Sequence, residues 1–126
     1  MATSALTKEN FEDTIKNNGI VLIDFWAEWC GPCRSFGPIF EEASERHGDV
    51  TFVKVNTEDE RELAANFGVR SIPMLVAFRD EIPIFGQPGL LPGEALDSLI
   101  DQIKGLDMTE VKAEYEKQLA EQQGQA

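Results

Sequence analysis

The chain has 126 residues, of which 42% are hydrophobic, enough for one domain with a real core. Its 11 basic residues against 23 acidic give a formal net charge of −12, which argues against nucleic-acid binding, because phosphate neutralisation needs a basic face. No apolar run has the length of a membrane span, and Met1-Ala2-Thr3-Ser4-Ala5-Leu6 lacks the basic start and apolar stretch of a signal peptide, so a reducing, cytoplasmic setting is expected.

In chain order, Thr7 reads as the N-cap of a short helix with Phe11 and Ile15 on its inner face, ended by Asn17-Asn18-Gly19. Residues 20–26 form a nearly unbroken apolar run, the pattern of a strand buried on both faces of an α/β sheet. Trp29-Cys30-Gly31-Pro32-Cys33 follows, and a helix extends from it to about His47. Phe36, Phe40 and Ala43 make its inner face; Glu41, Glu42, Glu45 and Arg46 are expected to face water, and Pro38 to kink it. A second strand spans residues 50–56, and Thr57 with Glu60 reads as a capping box for the next helix. That helix ends at Phe67, with Gly68 just beyond it. Pro73 precedes a strand over 74–79, and Asp80-Glu81 turns into a short strand around 82–85, which Pro83 confines to a sheet edge. After Gly86-Gln87-Pro88-Gly89, a helix beginning near Pro92 carries Leu96, Leu99, Ile100 and Ile103 on one stripe and stops at Gly105. Parallel βαβ units followed by a hairpin specify a mixed sheet with helices on both faces.

Beyond Gly105, Asp107 and Glu110 resemble another capping box, and Met108, Val111, Tyr115 and Leu119 follow at helical spacing. This segment, 107–126, is expected either to fold back loosely on the domain of residues 1–106 or to dock a partner or a second copy.

The chemistry concentrates in Cys30 and Cys33, the only two cysteines. A structural zinc site needs four ligands, and among His and Cys only His47 remains. As a staple, so short a loop is worth about 2 kcal/mol, against about 3 for a 15-residue loop. In a βα context without a signal peptide, Cys-x-x-Cys reads as a redox dithiol.

Residues 21–33, Val-Leu-Ile-Asp-Phe-Trp-Ala-Glu-Trp-Cys-Gly-Pro-Cys, resemble the active-site segment of the thioredoxin family. Arg34, Pro38, Lys54, Ile72-Pro73 and Gly89 also fall where that family carries basic, proline, lysine, apolar-proline and glycine residues, so the resemblance covers about residues 6 to 105. Arg79-Asp80-Glu81 in place of Asn-Gly, the prolines at 83 and 88, and the extension after Gly105 depart from the family pattern.

The resemblance implies the thioredoxin fold, a mixed sheet of four to five strands flanked by helices, with a helical extension. It implies reduction of disulfides in target proteins, recycling by a flavin-containing thioredoxin reductase, no bound cofactor or metal, and a monomer with neither nucleic-acid nor membrane partners. Cys30 would be the exposed attacking thiolate at a helix N-terminus. The resemblance implies for it a pKa near 7 instead of 8.5, a property of thioredoxins. It would raise the thiolate fraction at pH 7 about 16-fold and cost about fivefold in nucleophilicity, so positioning must supply most of the rate. Cys33, buried one turn on, would resolve the mixed disulfide. Asp24 interrupts the apolar strand; it is either the proton acceptor for Cys33, with a pKa raised by burial and tuned by Lys54, or a structural carboxylate satisfied by Lys54. Gly31 and Pro32 would set the loop and the potential. Trp29, a cis Ile72–Pro73 bond and Gly89 would outline a groove that reads substrate backbone, with Trp26 beneath as core. Two rivals stand beside this reading: a disulfide-introducing oxidant, and a binding subunit that docks through its extension.

Overall fold

The computed structural model describes residues 2–88 and 90–124. Ten elements follow one another: β1 (Thr3–Ala5), α1 (Phe11–Asn17), β2 (Ile20–Trp26), α2 (Gly31–Arg46), β3 (Thr51–Asn56), α3 (Arg61–Asn66), β4 (Met74–Arg79), β5 (Ile82–Pro88), α4 (Gly93–Lys104) and α5 (Met108–Gly124). The five strands form one sheet in the order β1-β3-β2-β4-β5. β3 runs parallel to β1 and β2; β4 is antiparallel to β2 and β5.

Strand β2 is central, and its alternation sorts the core. Val21, Ile23 and Phe25 pack with Ile15 of α1 and Leu63 of α3 on one face. Leu22 packs with Phe36, Phe40, Leu96 and Ile100 of α2 and α4 on the other. Period-2 geometry puts Asp24 on the second face, under α2. It puts Lys54, the β3 partner of Asp24 in register, on that face too.

The structure departs from the local expectations at five points. A three-residue edge strand, β1, precedes the first helix; it is too short to show a period in the sequence. α1 starts at Phe11, not at Thr7: the Asn10 N–H donates to Thr7 Oγ1 (3.3 Å) and the Thr7 N–H to Asn10 Oδ1 (2.8 Å), closing a separate turn ahead of the helix. Thr57 and Glu60 form no capping box, because both are drawn to tertiary partners. Thr57 Oγ1 donates to the Trp26 carbonyl, and Glu60 Oε1 accepts from the Lys8 N–H. β5 reaches Pro88 rather than stopping at 85, and a register shift at Ala77/Phe78, with Phe85 and Pro83 as their partners, absorbs one extra residue. Glu41 is also half-buried where water was expected, taking a hydrogen bond from Thr3 Oγ1 of β1. Pro38 lies inside α2, which continues past it to Arg46.

Other signals match. Gly68 follows α3 at φ +65°, a left-handed residue as a helix exit prefers. Asp80 (φ 52°) and Glu81 (φ 70°) make the hairpin turn with two left-handed residues and no glycine.

Arg79 ties the end of the domain together. One guanidinium nitrogen donates to the carbonyls of Ile103 (2.6 Å), Lys104 (3.1 Å) and Leu106 (3.2 Å), at and just beyond the end of α4, where carbonyls lack helical partners. This fixes where the chain leaves α4 for α5. Asp107 Oδ1 then caps α5 by accepting from the Thr109 and Glu110 N–H groups. No described residue of α5 is buried; Val111 and Tyr115 are half-buried and share a groove with Ile82, Pro83 and Ile84, and Lys112 reaches Asp80 at 3.9 Å. Arg79→Ala is expected to lower stability by about 2 kcal/mol and to open the α4–α5 junction to protease. An unchanged urea midpoint and cleavage pattern would dismiss this role.

Candidate active site

Cys30 is the N-cap of α2, in extended conformation (φ −89°, ψ 110°), and its Sγ accepts from the Cys33 backbone N–H at 3.2 Å. The first turn of α2 carries no acidic side chain. Unpaired N–H groups and the positive end of the helix dipole therefore act on this sulfur, and both favour a thiolate once the bond to Cys33 opens. Pro32 lies within the first two positions of the helix, where its missing N–H costs no hydrogen bond. The two cysteines are joined as a disulfide, with Cα atoms 5.2 Å apart.

The exposure of Cys30 differs from expectation. It is 4% exposed and Cys33 5%. In the disulfide, Cys30 packs with Ala27, Cys33, Trp26 and Ile72 in one small cluster, and its Sγ lies 3.7 Å from the Ile72 carbonyl oxygen. A helix terminus is visible in sequence; the neighbours that cover it are not. Trp29, next to Cys30 in the chain, and Ile72, which covers its sulfur, line a shallow pocket with Val69 and Arg70.

Trp29 is 67% exposed, and its indole Nε1–H donates to Glu58 Oε1 at 2.6 Å. Glu58 is set in turn by its own N–H, which donates to Asn56 Oδ1 (3.0 Å), and by Arg61 3.5 Å from its other oxygen. Nothing in the sequence singles out Glu58, because only the fold brings the turn after β3 beside Trp29. On the opposite side, the Ile72–Pro73 bond is cis and Pro73 is buried at the start of β4. Gly31 and Pro32 are exposed at the rim. Gly89, expected across the groove, lies outside the described residues.

Asp24, on the α2 face of the sheet, is 1% exposed, and neither carboxylate oxygen has a hydrogen-bond partner among the described residues. Burial pushes its pKa up to about 7, against an opposing pull from the Lys54 ammonium. Lys54 does not satisfy the carboxylate by hydrogen bonding. Its Nζ sits over the Trp26 ring, 5.1 Å from the centroid. Cys33, Lys54 and Trp26 line a common crevice of about 530 Å³ with Gly37 and Glu41. A buried carboxyl that titrates near neutrality and carries no fixed hydrogen bond is suited to exchange a proton with a thiol in its reach.

His47 is the C-cap of α2 and holds Asp97 Oδ1 at 2.8 Å. A helix rises about 1.5 Å per residue, so the 16 residues of α2 keep His47 far from the cysteines at its other end. Among the described residues, no helix is long and apolar enough to cross a membrane.

The thioredoxin family model matches residues 2–104. A Streptomyces coelicolor protein designated thioredoxin 2 is 53% identical over 125 residues, spanning 99% of this chain and 90% of its own length. That match includes the segment beyond Gly105. A thioredoxin of Alicyclobacillus acidocaldarius is 41% identical over 103 residues, 81% of this chain and 98% of its own. Among solved structures, a single-site mutant of the thioredoxin from Halobacterium salinarum superposes with a TM-score of 0.76 at 33% identity, covering 82% of this chain and 91% of that one.

Proposed function

This chain belongs to the thioredoxin family, whose members are disulfide oxidoreductases acting on disulfide substrates with reductase partners, and from that membership we propose how its own residues do the work. Cys30 thiolate attacks a target disulfide; one target sulfur leaves as a thiolate and the other stays bonded to Cys30. The Cys33 thiol gives its proton to Asp24, and the Cys33 sulfur displaces the second target thiolate, closing Cys30–Cys33. A flavin-containing thioredoxin reductase returns two electrons and the dithiol. Lys54 acts through Asp24, holding back the rise of its pKa.

The observation that carries this reading is a buried Asp24 without a hydrogen-bond partner among the described residues, on the sheet face that packs against α2, the helix whose first turn holds the Cys30–Cys33 disulfide. Trp29 and the backbone of Ile72 flank the sulfur, a setting for an extended substrate segment paired through its backbone. Gly31-Pro32 hold the potential on the reducing side. Residues 1–106 form the redox domain and 107–126 an extension; the chain works as a monomer in the cytoplasm and binds neither nucleic acid nor membrane. Insulin reduction driven by NADPH and a thioredoxin reductase tests this function. Steady turnover is expected with the parent chain and none with Cys30→Ser; equal turnover by both would overturn the proposal.

A further inference from the structure

Asp24 is cut off from solvent, yet each cycle requires it to take a proton and later release it. The question is where that proton leaves. The stripe of α2 below Cys33 offers a route. Cys33, Gly37 and Glu41 stand at i, i+4 and i+8, so they share one helix face, with Glu41 about 12 Å along the axis from Cys33. All three line the crevice of about 530 Å³ that Lys54 and Trp26 close from the sheet side. Between the thiol and the carboxylate stands a glycine. A Cβ on Gly37 would lie 3.8 Å from Lys54 Nζ, so its absence leaves the passage beside the ammonium open.

Glu41 is not an ordinary surface carboxylate. Thr3 Oγ1 of β1 donates to its Oε2, which fixes the group. Its Oε1 is buried and has no hydrogen-bond partner among the described residues. One oxygen is therefore held and the other left free on the crevice wall. The charged groups that share the crevice with it are Lys54 from β3, and Arg34 and Glu42 from its own helix, with Glu45 one turn further along α2. A carboxylate with one anchored and one unpartnered oxygen, on the wall of a crevice that Lys54, the register partner of Asp24, also lines, is arranged to relay protons.

We propose that Glu41 is a positioning residue for the proton, exchanging it between Asp24 and bulk solvent through the crevice along the Cys33–Gly37–Glu41 face of α2. The proposal rests on the reading of Asp24 as acceptor for Cys33. The proton leaves Cys33 Sγ for Asp24, crosses the passage beside Lys54 to Glu41 Oε1, and passes to bulk. No electron moves in this transfer.

The test is the Glu41→Gln variant, which keeps the shape and can still accept from Thr3. Reduced protein is mixed with 5,5′-dithiobis(2-nitrobenzoate) in weakly buffered solution, and release of the Cys33 proton to bulk is followed by stopped flow with a pH indicator near neutral pH. The variant is expected to release it about tenfold more slowly than the parent, less than the 10² to 10⁴ that a direct proton acceptor contributes. Added imidazole, a small diffusible base, restores the rate in proportion to its concentration, while alkylation of Cys30 keeps the parent rate. A release rate equal to the parent's and indifferent to imidazole overturns the inference. So does a slowed release that imidazole cannot restore, since that marks a packing effect. Asp24→Asn, measured alongside, separates the layers. If it is slow while Glu41→Gln matches the parent, only the exit route fails; if both match the parent, the acceptor role itself fails.

Discussion

With Cys33 replaced by serine, the protein is expected to stop halfway through its cycle. The first step needs only the Cys30 thiolate and the helix terminus that holds it. The second needs a sulfur already positioned against Cys30, and these two residues hold their Cα atoms 5.2 Å apart, with the Cys33 N–H aimed at Cys30 Sγ at 3.2 Å. Intramolecular partners in such geometry act at effective concentrations far above any cellular thiol. Their loss is expected to lower turnover at least about 10³-fold and to leave the target bonded to Cys30. Non-reducing electrophoresis and mass spectrometry of Cys33→Ser after mixing with an oxidised substrate should show the adduct. Turnover at the parent rate without an adduct would remove Cys33 from the resolving role.

Asp24→Asn is expected to change both stability and rate, each with its own pH signature. The folded carboxyl titrates at about 7, above its ordinary 3.8. Between those values the folded chain holds a proton that the unfolded chain has lost, so stability falls as pH rises through this window and the penalty is complete above about 7. That gap corresponds to about 4 kcal/mol. The asparagine variant should be more stable than the parent at pH 8, by up to that amount less the cost of an amide with few partners. Near pH 4 or below the advantage should vanish, because the parent carboxyl then loses little or nothing by burial. Guanidinium unfolding at the two pH values tests the sign. The resolving step should slow about 10- to 100-fold near pH 7, and the deficit should shrink toward pH 9 as the Cys33 thiol ionises unaided. A rate equal to the parent's at neutral pH would return Asp24 to a purely structural role.

What the sequence made legible follows from the range of each interaction. The span of β2, the start of α2 at the cysteines, Gly68 after α3, Pro73 before β4 and Gly105 after α4 rest on local chemistry: apolar runs, missing N–H groups and left-handed backbone. Asp24 was also legible, because a carboxylate in an apolar strand is conspicuous. The rest depended on neighbours distant in the chain. Thr57 and Glu60 carry the spacing of a capping box, yet Trp26 and Lys8 claim them. Glu41 has the helical phase of a surface residue, yet β1 arrives to cover it and Thr3 binds it. Cys30 has the sequence of an exposed thiol, yet Ile72, 42 residues on, covers its sulfur. β1 itself gains strand geometry only by pairing with β3.

That covering of Cys30 bears on the whole mechanism, because the disulfide form leaves both cysteines under a tenth exposed. The reduced protein must therefore distinguish sulfurs that the oxidised one does not. Alkylation of the reduced chain by iodoacetamide, followed against pH with the modified residue mapped by mass spectrometry, tests this most directly. Cys30 should react first, with an apparent pKa below the ordinary 8.5, while Cys33 lags at least about 100-fold. Equal labelling of the two cysteines, or none of either at neutral pH, would contradict the division of labour between them.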